Sequence, residues 1–156
     1  FSSIKFDLIV TRMALHHMSD IDLFFLNMQH LLRPNGVLLL TDLLGSDDTS
    51  FHAFLNSRET LLDSTHQNIL TPRALSNFIE AHGLSIVKFH HTQVLSSLRT
   101  HSSNHRLTTS QYVHLYDWLL SSPTEHKSNI NLMRSECGDL FWLDDRFTVA
   151  LKPLRL

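Results

Sequence analysis

No glycine precedes Gly36, and only four occur among the 156 residues. Nucleotide-binding α/β folds cradle phosphate or nucleoside groups with a glycine-rich turn, because only glycine lets the backbone approach that closely. That turn is therefore absent before Gly36. Cysteine is scarcer still. The lone Cys137 excludes an intrachain disulfide and fits a reducing compartment. Apolar runs extend to about five residues, far short of the ~20 that span a bilayer as a helix. The first residues, FSSIKFDLIV, lack the basic stretch and long apolar run of a signal peptide. The net charge of −2, the pI near 6.7 and the lack of any Lys/Arg cluster argue against a nucleic-acid partner. The expectation is a cytoplasmic protein with no membrane span.

What is present is the composition of a folded domain: 42% hydrophobic and 18% charged residues. A chain of this length forms one domain that buries roughly 70% of its unfolded surface. Histidine is abundant. With twelve of them beside 15 acidic and 13 basic residues, the net charge changes sign as they protonate.

The densest information lies between Phe6 and Asp42. Phe6 to Val10 is continuously apolar apart from Asp7, the pattern of a strand buried on both faces of a parallel sheet. His16 and His17 follow in a loop, and Ser19-Asp20 offers a cap for a helix from Ile21 to about Leu32. Pro34-Asn35-Gly36 ends that helix, and a second buried strand runs from Val37 to Thr41. This is one right-handed parallel crossover, and ligands of such folds bind beyond the carboxyl ends of the strands.

Downstream, helical spacing predicts helices over 51–62 and 109–120, a helix starting at Thr71-Pro72 and stopping at Gly83, and another from Pro123 to near Gly138. Strands are expected near 84–93 and 146–152, and the polar stretch 96–107 reads as a loop. The order β-α-β-α-α-β-α-α-β shows no repeat or linker, so the class is α/β in one domain.

The segments Phe6-Asp7-Leu8-Ile9-Val10, Ala14-Leu15-His16-His17, Leu31-Leu32-Arg33-Pro34-Asn35-Gly36 and Leu38-Leu39-Leu40-Thr41-Asp42 together resemble class I S-adenosylmethionine-dependent methyltransferases. More narrowly, they are similar to the small-molecule enzymes related to quinone biosynthesis. Leu61-Leu62-Asp63-Ser64-Thr65-His66 and Ala81-His82-Gly83-Leu84 extend the likeness, which covers residues 1 to about 94.

The resemblance implies a partial Rossmann-like fold holding strands four to seven of seven, in spatial order 4-5-7-6 with the last antiparallel. It implies S-adenosylmethionine as cofactor and a small-molecule substrate. By resemblance, Thr11, Arg12 and Met13 line the methionine and sulfonium side, and His16 and His17 face the substrate as candidate catalytic residues. Asp42 could contact substrate, orient a histidine or merely cap a turn, and His66 could belong to a lid over the substrate. The resemblance also implies that residues 1–156 are the C-terminal portion of one methyltransferase domain, its nucleoside-binding half lying upstream. A homo-oligomer, or a segment that covers the first strand's edge, is a further expected partner. The competing reading is a non-catalytic remnant of the fold that serves as an interaction module; an upstream glycine-rich turn followed by an acidic residue would decide for the enzyme. No set of residues completes a metal site: His90 and His91 on a strand point to opposite faces, and Cys137 has no partner ligand.

Overall fold

The computed structural model describes residues 4–154. It contains a five-stranded mixed sheet, flanked by helices on both faces. In chain order the elements are β1 (Phe6–Arg12), a single 3-10 turn (Leu15–His17), α1 (Ile21–Leu31), β2 (Leu32–Leu43), α2 (Thr49–Leu62), α3 (Pro72–Ala81) and β3 (Leu84–Ser97). They continue with α4 (Leu98–Asn104), α5 (Thr109–Ser121), α6 (Thr124–Asn129), β4 (Met133–Arg134) and β5 (Leu140–Pro153).

The main path is β1-β2-β5-β3, with β4 attached to β5. β1 and β2 are parallel, and β5 inserts antiparallel between β2 and β3, as expected from the sequence. The crossover is set locally. Asp20 caps α1 by accepting from the Leu23 N–H at 2.8 Å. The Pro34-Asn35-Gly36 step lies inside the span of β2 and coincides with a register shift between Phe6 and Leu8 on β1. Gly36 is required there: a Cβ would stand 2.7 Å from the Phe6 carbonyl oxygen. Gly83, at φ +61°, provides the left-handed residue that ends α3 and turns the chain into β3.

Two cores lie on opposite faces. Leu38 and Leu40 of β2 and Phe147, Val149 and Leu151 of β5 pack under Phe24 and Phe25 of α1 and Leu75 and Ile79 of α3. Leu43, Leu140 and Trp142 pack under Phe54, Leu55 and Leu62 of α2, Leu98 of α4 and Leu115 and Leu119 of α5. β5 thus buries Leu140, Trp142 and Asp144 on one face and Phe147, Val149 and Leu151 on the other.

Four expectations need correction. β5 begins at Leu140 rather than near 146, because the switch of buried face between Asp144 and Phe147 breaks the single alternation that marks a strand. The stretch read as a loop contains α4, capped by the Ser97 hydroxyl and held by buried Leu98 and Ser102; tertiary packing overrides its polar composition. The helix after Pro123 ends at Asn129, because Asn131 takes a left-handed φ of 50°. The fourth concerns β1, which is not buried on both faces: Leu8 is 57% and Val10 59% exposed. β1 is an edge, and the cross-strand row Val10–Leu39–Ala150–Lys88 lies on a part of the sheet that α2, α4 and α5 do not cover.

An edge strand with bare apolar side chains templates association. The 156-residue polypeptide is expected to self-associate in a concentration-dependent way, and Leu8→Lys with Val10→Lys to reduce this. Sedimentation velocity over a concentration series checks it; a monodisperse wild-type monomer would contradict it.

Candidate active site at the carboxyl ends of β1 and β2

The carboxyl end of β2 delivers Asp42, and the turn after β1 delivers His16. Asp42 is only 1% exposed, and its carboxylate is saturated with donors. Oδ2 accepts from the Ala14 and Leu15 N–H groups at 2.9 and 2.7 Å, and Oδ1 from the Leu43 N–H at 2.8 Å and His16 Nδ1 at 2.5 Å. Three backbone amides and an imidazole therefore hold one buried carboxylate. The consequence for His16 is a fixed tautomer: Nδ1 carries the proton toward Asp42, and Nε2 keeps its lone pair. Two of the alternatives open for Asp42 are met at once: its carboxylate bonds to a histidine and also caps the turn after β1.

A partly open cavity of about 190 Å³ lies beside this pair, walled by Met13 after β1, His16, His17, Leu43 at the end of β2, and Arg146 of β5. His66 from the α2–α3 loop, His101 of α4 and His105 just beyond it also line it, so five histidines share one space. A larger open groove, about 790 Å³, lies at the amino end of β2 between Gln29, Leu32 and Pro153. Its Lys5 ammonium is bonded to the His30 carbonyl, and the groove is at the wrong end of the strands for the ligands of this fold.

Each predicted residue can now be located. Met13 has φ 49°, unusual for a residue with a side chain, and its N–H is anchored on the Thr41 carbonyl at 2.8 Å. Thr11 is half-buried within β1, while Arg12 is exposed at its end; neither lines the cavity. His17 does line it, but is tethered. The Thr65 hydroxyl gives its proton to Asp63 Oδ1 at 2.7 Å, so His17 Nδ1 donates to Thr65 Oγ1 at 3.0 Å. His66 lines the cavity too, with its ring 5.8 Å from that of His16. The loop that carries His66 is strapped to the same histidine, the Gln67 and Asn68 N–H groups both donating to the His16 carbonyl.

Sequence reasoning missed Asn56, Arg58, Asp144 and Arg146. Arg58 is 2% exposed and donates to Glu59 Oε1 and to Asp144 Oδ1, the latter at 2.5 Å. Burial alone would lower its pKa, but the two carboxylates outweigh burial and raise it. Asp144 also accepts from Trp142 Nε1 and from the Ser96 hydroxyl. Burial pushes the Asp63 carboxyl up, but the Thr65 hydroxyl and N–H, with His105 and His17 nearby, together outweigh it and hold the carboxyl below the usual range.

Burial depresses the pKa of both His66 and His101 below the ordinary 6.5. Their contribution to stability is complete above pH 6.5, where folded and unfolded chains are both neutral there. It is lost as pH falls through the lower folded values, because the unfolded chain binds protons first. The melting temperature is expected to drop between pH 7 and 5, and less steeply in His66→Gln/His101→Gln. Scanning calorimetry across that range checks it; equal slopes would contradict it.

The model of the methyltransferase domain family matches residues 2–88. An uncharacterized methyltransferase of Schizosaccharomyces pombe is 36% identical over 84 residues, 53% of this chain and 29% of that protein. Among solved structures, a protein assigned as a methyltransferase from Bacillus halodurans superimposes with TM-score 0.93 at 19% identity, covering 99% of this chain and 67% of that one. An O-methyltransferase of Brevibacillus brevis, solved with S-adenosyl-L-homocysteine, gives TM-score 0.50 at 14% identity, covering 98% and 46%. The chain thus spans less than a third of its curated relative and two thirds of the Bacillus protein, and with its mixed sheet and its matched residues it belongs to the methyltransferase domain family.

Proposed function

We propose that this chain is the C-terminal portion of an S-adenosylmethionine-dependent methyltransferase that acts on a small protic acceptor, with His16 as general base and Asp42 as its orienting carboxylate. The observation that carries this reading is the buried Asp42–His16 pair, whose free imidazole nitrogen belongs to a residue lining the cavity at the carboxyl ends of β1 and β2. The partial coverage of the relatives, the exposed edge of β1 and the bare rows of the sheet support a segment upstream.

The residues present fit one end of the cofactor. Met13, on its anchored left-handed turn, walls the cavity where the methionine and sulfonium side is expected, with Thr11 and Arg12 leading to it. Before Gly36 nothing offers the close-approach turn that a nucleoside needs. S-adenosylmethionine, when bound, supplies a methyl group on a positively charged sulfur. The chain's own part is to hold the acceptor in line and accept its proton. His16 Nε2 would take the proton that the acceptor gives up on methylation, and Asp42 would balance the resulting imidazolium. His17 and His66 line the substrate side, and His17 ties the Asp63–Thr65 loop to the 3-10 turn.

Calorimetric titration of S-adenosylmethionine into the 156-residue chain and into a longer polypeptide that carries it tests the reading. Binding by the longer form with at least about a hundredfold loss in the short one is expected, since several hydrogen bonds worth on the order of 1 kcal/mol each are missing. Micromolar binding by the short chain would overturn the division of labour, and no binding by either would overturn the activity.

A further inference from the structure

Asn56 of α2 fixes the chemistry of His66. The Ile69 N–H donates to Asn56 Oδ1 at 2.9 Å, which settles which end of the amide is the oxygen. The amide nitrogen, correspondingly, lies 3.1 Å from the His52 carbonyl and 3.0 Å from His52 Nε2. His66 Nε2 is 2.8 Å from the same Oδ1, so it must carry a proton and donate it. In a neutral imidazole the other nitrogen is then a bare acceptor. Burial lowers its pKa, which favours the neutral ring. His66 is 7% exposed, and its Nδ1 is buried without a hydrogen-bond partner among the described residues.

The mirror arrangement holds for His16, whose Nδ1 is given to Asp42 and whose Nε2 has no hydrogen-bond partner among the described residues. Two imidazoles from separate elements, each with one nitrogen occupied and one lacking a donor, therefore line the same cavity with rings 5.8 Å apart. The remaining charges narrow the class of occupant. Glu59, Asp63 and Asp144 also line the space, which disfavours a carboxylate ligand, while Arg146 has a buried Nε with no partner among the described residues and can donate to an oxygen. A cavity of about 190 Å³ suits a single ring, since one of ~150 Å³ binds benzene.

We propose that the acceptor is a neutral, ring-sized molecule with two protic groups: one loses its proton to His16 and is methylated, the other donates to His66 Nδ1, and Asn56 is the positioning residue that sets the His66 tautomer. This rests on the methyl-transfer reading for the fate of the first group only; the tautomer and the two-donor preference stand apart from it.

The test is a titration of the 156-residue chain, followed by long-range ¹H–¹⁵N correlation of the histidine rings, with catechol, 2-methoxyphenol and phenol as probes. The wild-type spectrum is expected to show His66 protonated on Nε2. Asn56→Asp should retain that tautomer and Asn56→Leu should lose it, a change that a purely structural role would not produce. Catechol should bind roughly tenfold more tightly than either single-donor probe, about the worth of one hydrogen bond. His66→Phe should remove the preference for catechol over phenol. An Nδ1-protonated His66, equal affinity for the three probes, or no binding of any would overturn the proposal. A complete enzyme that transfers no methyl group would sink the catalytic reading while leaving these spectra as they are.

Discussion

In a methyltransferase that carries this segment, His16→Ala is expected to lower turnover by roughly 10²- to 10⁴-fold, the usual worth of a positioned general base. The affinity for S-adenosylmethionine should change little if His16 serves the acceptor, as proposed. Asp42→Asn should follow it for a related reason. An amide facing His16 Nδ1 no longer requires a proton there, so the ring can present the wrong tautomer. It also weakens the acceptor for the Ala14, Leu15 and Leu43 N–H groups, so thermal stability must be measured alongside rate. His17→Ala should cost less in turnover, since its Nδ1 is engaged by Thr65 and it has no buried carboxylate partner; its Nε2 is 4.0 Å from Asp63. The decisive comparison is turnover and cofactor dissociation constant for the three variants side by side. Unchanged turnover in both His16→Ala and Asp42→Asn would reduce the pair to a structural cap on the turn after β1. A loss confined to stability would say the same.

The histidine pair was legible because it lies between two strongly patterned strands, in the loop where α/β folds place ligands. Which of the two could act as a base was not legible. That depends on Asp42, 26 residues away, reaching His16 rather than His17, and on three backbone amides that hold its carboxylate in place. The crossover followed from the Pro-Asn-Gly step and the element order, and the insertion of β5 between β2 and β3 from the family resemblance. Whether β1 is buried did not follow from its apolar run, because burial depends on what pairs with its outer edge. Asn56 and Arg58 escaped for another reason. Both are polar residues of α2, and only the folding of β5 and the α2–α3 loop against that helix gives them their long-range partners. Arg58 and Asp144 are separated by 86 residues, beyond any local period.

Arg58 is where the largest loss of stability is expected. Its guanidinium is shared between Glu59 and Asp144, and Asp144 is further held by Trp142 and Ser96, so one buried network joins α2, β3 and β5. The arginine also lies over the Trp142 ring, 5.2 Å from its centroid. Arg58→Met keeps most of the apolar stem but leaves Asp144 charged and enclosed, at an expected cost of ~3–5 kcal/mol, as for other buried ion pairs that lose one partner. Against a typical total of roughly 5–15 kcal/mol, that removes about a fifth or more of the folding free energy. The loss should be a property of the unpaired charge rather than of the missing contacts. Asp144→Asn in the Arg58→Met background is therefore expected to recover part of it, since a neutral amide can still bond to Trp142 and Ser96. Urea denaturation of the two single variants and the double variant measures this as a coupling energy. Additive losses would mean that Arg58 stabilises the chain by packing against Trp142, with its charge playing little part.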